Sequence, residues 1–74
     1  MSPPDAVKNL RQYLKRLGFL GVSIVKCTEP EFAGKYVVTF YDPVEERVPI
    51  CKVYSLEDMV VITRAGDIFW RFIR

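Results

Sequence analysis

The sequence predicts an α+β domain in which one amphipathic helix precedes an antiparallel meander of four or five short strands. Apolar residues recur at helical spacing only within residues 4–17, whereas the chain after Gly18 consists of short runs rich in β-branched and aromatic residues. The connections between these runs are too short for parallel crossovers, so consecutive strands pair antiparallel. Two architectures satisfy this pattern: an open sheet with the helix on one face, and a small bent barrel with the helix at one end.

Length and composition place the chain among small globular proteins. Its 74 residues are enough for one domain, residues 1–74, and too few for two. Hydrophobic residues make up 50% and charged residues 27% of the chain, which argues against disorder. No apolar run approaches the roughly 18–20 residues of a membrane span, and the first residues lack the pattern of a signal peptide. We therefore expect a cytoplasmic protein without membrane association.

The predicted helix covers about residues 4–17. Its apolar side chains fall within about 120° of one another on a helical wheel, and they are Val7, Leu10, Tyr13, Leu14 and Leu17. Ser2 stands at the N-cap position, and Asp5 suits the positive end of the helix dipole. Gly18 is placed to adopt the left-handed conformation that commonly ends a helix.

Five runs follow as predicted strands, at about residues 20–28, 35–41, 47–55, 59–64 and 67–73. Turn residues separate them, including Pro43, which suits the second position of a type I turn, and Gly66 in the last connection. Pro49 cannot donate a ladder hydrogen bond, so it favours an edge, a strand start or a bulge in the third strand.

The strand faces carry more apolar surface than one helix can cover. A sheet with one buried face alternates apolar and polar residues, but both alternating sets of residues 35–41 are largely apolar. Either bends and bulges turn both sets inward, or a partner covers the second face. We expect self-association or a protein partner bound through an aromatic-rich sheet face. The predicted interface residues are Tyr36, Phe69, Trp70, Phe72 and Ile73.

The composition gives little support to catalysis or metal binding. The chain contains no histidine, the commonest general base and metal ligand. Its serines therefore lack that activating base, and its glycines form no phosphate-binding loop. Cys27 and Cys51 have no second pair to complete a metal site, and reduced, buried thiols are the simpler expectation than a disulfide. We expect a protein that is not an enzyme and that uses no cofactor, metal or small-molecule substrate.

Basic residues support an alternative function, the binding of RNA or DNA. Four of them lie on the polar side of the predicted helix: Lys8, Arg11, Lys15 and Arg16. A row of cations can follow a phosphate backbone, although many solvated helices also carry one. Arg71 and Arg74 alternate with aromatic residues, a composition that combines base stacking with phosphate contacts.

Two segments carry a family resemblance. Phe40–Tyr41–Asp42 closes the second predicted strand, and residues 60–68 form an apolar run followed by Arg, Ala and Gly. Together with the layout of one helix and five strands, they resemble the Sm-like RNA-binding proteins, whose second strand ends in an apolar residue, Phe and Asp. Glu46 stands where that family has Asn. Ala65 separates Arg64 from Gly66, whereas the Arg and the Gly are adjacent in that family. The resemblance implies a small bent barrel that assembles into rings and binds RNA.

Overall fold

The computed structural model describes residues 2–64, which form two helices and one open, three-stranded antiparallel sheet. The elements in chain order are α1 (Pro3–Arg16), β1 (Leu20–Lys26), a short 3-10 helix (Pro30–Phe32), β2 (Lys35–Tyr41), β3 (Pro49–Ser55) and α2 (Leu56–Arg64). The strands lie in the order β1-β2-β3, so β2 is central. The α+β class and the antiparallel pairing of consecutive strands are therefore confirmed.

Helix α1 lies close to its predicted bounds because its capping residues and its apolar periodicity agree. Ser2 is the N-cap residue, and Gly18 adopts a φ of +95° beyond the last turn. The N–H of Gly18 donates to the carbonyl of Lys15, and the N–H of Phe19 donates to the carbonyl of Leu14. This is the Schellman arrangement, which satisfies carbonyls that the end of a helix leaves without partners.

A bulge interrupts the pairing of β1 with β2. Leu20 lies opposite Tyr41 and Ser23 lies opposite Thr39, so β1 contains one residue more than β2 between these pairs. Gly21 lies in this bulge with a φ of +57°, a conformation that favours glycine. Because paired residues share a face of the sheet, the extra residue places Leu20 and Ser23 on the same face.

The core lies between one face of the sheet and both helices. The largest fully buried side chains come from α1, β2 and α2, and they are Leu10, Leu14, Val38, Phe40, Met59 and Ile62. The rings of Phe19 and Phe40 meet edge to face, with centroids 4.8 Å apart and planes inclined by 64°. Helix α1 contacts β1 and α2, and α2 contacts β3, so the two helices share this face of the sheet.

The last described element is the helix α2, so the predicted strand at residues 59–64 is wrong. Ser55 and Asp58 cap this helix reciprocally. The N–H of Asp58 donates to the Ser55 hydroxyl at 3.1 Å, and the N–H of Ser55 donates to the Asp58 carboxylate at 2.9 Å. Met59 and Ile62 lie three residues apart on one side of α2 and are both fully buried. Capping and core packing thus outweigh the preference of β-branched residues for strands.

The remaining differences from the predicted elements follow from this helix and from strand ends. The first strand is predicted at 20–28 and ends at Lys26, and the third is predicted at 47–55 and begins at Pro49. The second strand has its predicted bounds. Because the fourth run is helical, the described residues form an open sheet and no barrel, contrary to the Sm-like expectation. The fifth predicted strand, 67–73, lies outside the described residues. Within the described part of the chain, neither helix is long and apolar enough to cross a membrane.

Candidate interaction surfaces

One face of the sheet has no described helix packed on it. It is formed by alternate residues of the strands, in three rows that cross β1, β2 and β3. The rows are Val25–Val37–Val53, Ser23–Thr39–Cys51 and Leu20–Tyr41–Pro49. These nine residues are called the uncovered sheet face below.

The uncovered sheet face is accessible, and its nine residues carry no charge. The next pair on the same side of the sheet, Lys35 and Ser55, adds a lysine at one end of this face. Val25 is 59% exposed and Val53 is 44% exposed, although valine is among the residues most often buried in folded proteins. Leu20 and Cys51 are exposed as well. None of the nine residues is a lysine, arginine, aspartate or glutamate. The excess of apolar surface expected from the strand patterns therefore lies, within residues 2–64, on this side of the sheet.

Lysines lie at the two edges of the sheet. Lys26 of β1 pairs with Tyr36, and Lys52 of β3 pairs with Val38, both of which are core residues. Since paired residues share a face, the lysines occupy the margins of the helix-covered side. Charged residues in such positions on edge strands oppose edge-to-edge pairing with another sheet.

The predicted interface residues are not on the uncovered sheet face as far as the structure describes them. Tyr36 is 9% exposed and belongs to the core, whereas its neighbour Val37 lies on the central strand of the uncovered sheet face. Six predicted site residues lie outside the described residues: Phe69, Trp70, Arg71, Phe72, Ile73 and Arg74. The alternation along β2 indicated two apolar sets, and the position of the helices decides which set remains accessible.

The four basic residues of α1 divide between two surfaces. Lys8 and Lys15 are exposed and Arg11 is half-buried, and their spacing of three, four and seven residues places them on one side of the helix. Arg16 instead lines a depression between α1 and α2. The predicted basic surface therefore consists of Lys8, Arg11 and Lys15 and does not include Arg16.

The depression between the helices, called the interhelical groove below, is polar. It has a volume of about 230 Å³. Its described lining residues are Asn9, Gln12, Tyr13, Arg16, Thr63 and Arg64. Two of them are cationic and none is acidic. A second depression, on α2, is mainly apolar and is lined by Leu56, Glu57, Val60 and Val61.

Both cysteines are free thiols. Cys27 is half-buried, but Cys51 is exposed, so the expectation of a buried thiol is wrong there. The Thr39 hydroxyl donates a weak hydrogen bond to Sγ of Cys51 at 3.9 Å. Among residues 2–64, no group of three or more histidine, cysteine, aspartate or glutamate side chains is placed to hold a metal ion.

Tyr54 is an ionisable residue whose pKa is shifted by the fold. Burial, and to a smaller extent the nearby carboxylate of Asp58, raises the pKa of the Tyr54 hydroxyl from 10.0 to about 12. Both causes disfavour the tyrosinate, because the anion loses hydration and is repelled by a like charge.

An alkaline titration is expected to show this shift. Between about pH 10 and pH 12 the unfolded chain releases the Tyr54 proton while the folded protein retains it. The unfolded state then binds fewer protons, so the stabilising contribution is complete below pH 10 and is lost as the pH rises towards 12. Tyrosinate absorbance of the folded protein should include a late step near pH 12 that Tyr54→Phe removes. A late step of unchanged size in Tyr54→Phe would show that another tyrosine titrates there.

Comparison of the chain with protein-family models, with curated proteins and with solved structures finds no match in any of the three. A function for this protein must therefore follow from its own surfaces.

Proposed function

We propose that this protein is a non-enzymatic assembly module that forms a homodimer by packing the uncovered sheet face of one copy against that of a second copy. The observation that supports this most strongly is the row Val25–Val37–Val53, three valines side by side on a face that no described helix covers. Removing apolar surface from water favours association by roughly 25 cal/mol per Å², before the entropic costs of binding are subtracted.

The lack of charge among the nine residues of the uncovered sheet face favours a second copy as the occupant, since the lysine on this side, Lys35, lies beyond the row of valines at one end. A two-fold symmetric contact brings the same patch together from both sides, so a charge near its centre meets its own copy. The nine residues of this face avoid that repulsion, and no charge loses its hydration without a partner. Two sheets that pack face to face lie about 10 Å apart, with the side chains of the inner faces interdigitating.

The edges of the sheet favour this geometry over a continuous sheet shared by two copies. Lys26 and Lys52 lie on the edge strands β1 and β3, where they oppose strand addition. Pro49 at the start of β3 also lacks the N–H that a ladder requires. A copy that approaches the face meets the nine uncharged residues, with Lys35 at one end of the face.

The small area of the face favours a weak dimer. Three strands of seven residues each span about 23 Å along the strands and about 14 Å across them. This footprint is smaller than the roughly 800 Å² per partner of a standard protein interface. We therefore expect a dissociation constant on the order of 10 µM, equivalent to about −7 kcal/mol.

Sedimentation equilibrium combined with thiol reactivity tests the proposal. The mass should rise from 8.6 kDa towards twice that value as the concentration increases from about 1 µM to about 1 mM, across the expected dissociation constant. In a Cys27→Ser variant the Cys51 thiol should become less reactive in parallel, because it lies in the contact. A monomer at every concentration would contradict the proposal, and so would a dimer in which Cys51 stays fully reactive.

A second candidate function, nucleic-acid binding, is favoured by the exposure of Lys8 and Lys15 beside Arg11 on one side of α1. If these cations contact phosphates, the affinity for a random oligonucleotide should fall steeply as salt increases. Replacing Lys8 and Lys15 by glutamine should then weaken binding and lower the salt dependence. Unchanged binding by this double variant would rule out this side of α1 as the contact.

A further inference from the structure

We propose that the interhelical groove binds a phosphate group, either free or carried by a small molecule. The groove is formed by one row of α1, at positions 9, 12, 13 and 16, together with the last turn of α2. Residues spaced by three, four and seven positions lie along one side of a helix, so the row follows the groove for about 10 Å. This length accommodates one phosphate group and part of an attached molecule.

The donors that line the groove match the chemistry of a phosphate. Arg16 and Arg64 carry guanidinium groups, which hold a planar fork of N–H donors suited to phosphate oxygens. Gln12 lies one turn before Arg16 and adds an amide NH₂ donor. Thr63 lines the groove without adding a donor, because its hydroxyl already donates to the carbonyls of Met59 and Val60 on its own helix.

Helix capping alone does not account for this combination. Cations in the last turn of a helix stabilise the negative end of its dipole, which explains why Arg16 and Arg64 stand where they do. It does not explain Gln12, which is one turn earlier on α1 and lines the same depression. Two neighbouring helices in a small domain usually meet through apolar side chains, whereas the described lining of this groove is polar.

The balance of charges favours an anion. None of the described lining residues is acidic, and the two guanidinium groups contribute two positive charges. The carboxyl ends of α1 and α2, which both lie at the groove, together carry about one negative charge, half of that of the two arginines. The net field in the groove is therefore positive. Because Arg16 and Arg64 are both exposed, water and salt compete for them, and we expect dissociation constants in the low millimolar range.

An NMR titration of the isotope-labelled protein with inorganic phosphate, at constant ionic strength set by chloride, tests the site. Saturable shifts are expected at the side-chain N–H groups of Arg16, Arg64 and Gln12. Arg16→Gln and Arg64→Gln should each weaken binding at least fivefold. Arg47→Gln is the matched control, since Arg47 is exposed in the loop between β2 and β3 and does not line the groove. It should change the affinity less than twofold.

Two further probes identify the source of the phosphate. A nucleoside 5′-monophosphate should shift the same resonances, and the corresponding nucleoside should not. At least tenfold tighter binding of the nucleotide than of inorganic phosphate would support a phosphorylated small molecule, and equal binding would support free phosphate. Shifts that do not saturate, equal effects of Arg47→Gln and Arg64→Gln, or equal binding of the nucleoside would each overturn the proposal. The spectra of the variants report in the same experiment that each remains folded.

Discussion

Replacing Val37 with glutamate is expected to weaken self-association at least tenfold, a loss of about 1.4 kcal/mol or more. Val37 lies on the central strand of the uncovered sheet face, with Val25 and Val53 on its two sides. In a two-fold contact through this face both copies bury residue 37, so each carboxylate would lose its hydration in a contact that excludes water. Sedimentation equilibrium measures the change directly.

Val44→Glu is the matched control for this variant. Val44 is 87% exposed in the loop between β2 and β3 and is not part of the uncovered sheet face. The same substitution there adds the same charge, so it should leave the dissociation constant within about twofold. If Val37→Glu keeps its circular dichroism spectrum and still associates like the unmodified protein, this face is not the contact.

Replacing Phe40 with alanine is expected to lower the free energy of unfolding by about 3–5 kcal/mol. Phe40 is fully buried on the central strand, and its ring meets that of Phe19 edge to face. The truncation removes this contact and leaves a cavity that the surrounding residues fill only in part. A chain of 74 residues has an expected stability of about 4–11 kcal/mol, so the variant should lose a large share of the total.

Urea denaturation followed by circular dichroism measures the effect, and Phe32→Ala supplies the comparison. Phe32 is an exposed phenylalanine of the short 3-10 helix, so its truncation should cost less than about 1 kcal/mol. Equal losses in the two variants would contradict the position of the core between the sheet and the helices.

The N-terminal half of the fold could be predicted from the sequence because several independent features agree there. In α1 the apolar spacing, the N-cap and Gly18 all indicate the same helix. In β2 the alternation and the flanking turn residues define both ends of the strand. Where local preferences and tertiary packing point to the same structure, prediction from one sequence succeeds.

The region after β3 could not be predicted by the same reasoning. The run from Met59 to Ile62 is apolar throughout, so it fits a helix and a strand equally well. Its β-branched residues favour a strand, but the pair Ser55 and Asp58 has the spacing of a helix cap. The spacing of that pair is the sequence feature that indicates α2.

The second helix, which the apolar pattern alone does not predict, also explains why that pattern leaves open which side of the sheet is accessible. When one helix is predicted, the sequence pattern alone does not show which face of the sheet that helix covers. Once α2 packs beside α1, the side of Tyr36 is filled and the side of Val37 is left uncovered. The excess of apolar surface followed from the sequence, whereas its location depended on a tertiary contact that strand alternation does not encode.

The most direct test of the central proposal is an isotope-filtered NOE experiment on an equal mixture of labelled and unlabelled protein at about 1 mM, well above the expected dissociation constant. We expect intermolecular NOEs between the methyl groups of Val25, Val37 and Val53 in one copy and those of the other. A dimer whose intermolecular NOEs involve the outer side of α2 and spare these three valines would contradict the account, and so would a sample that shows none.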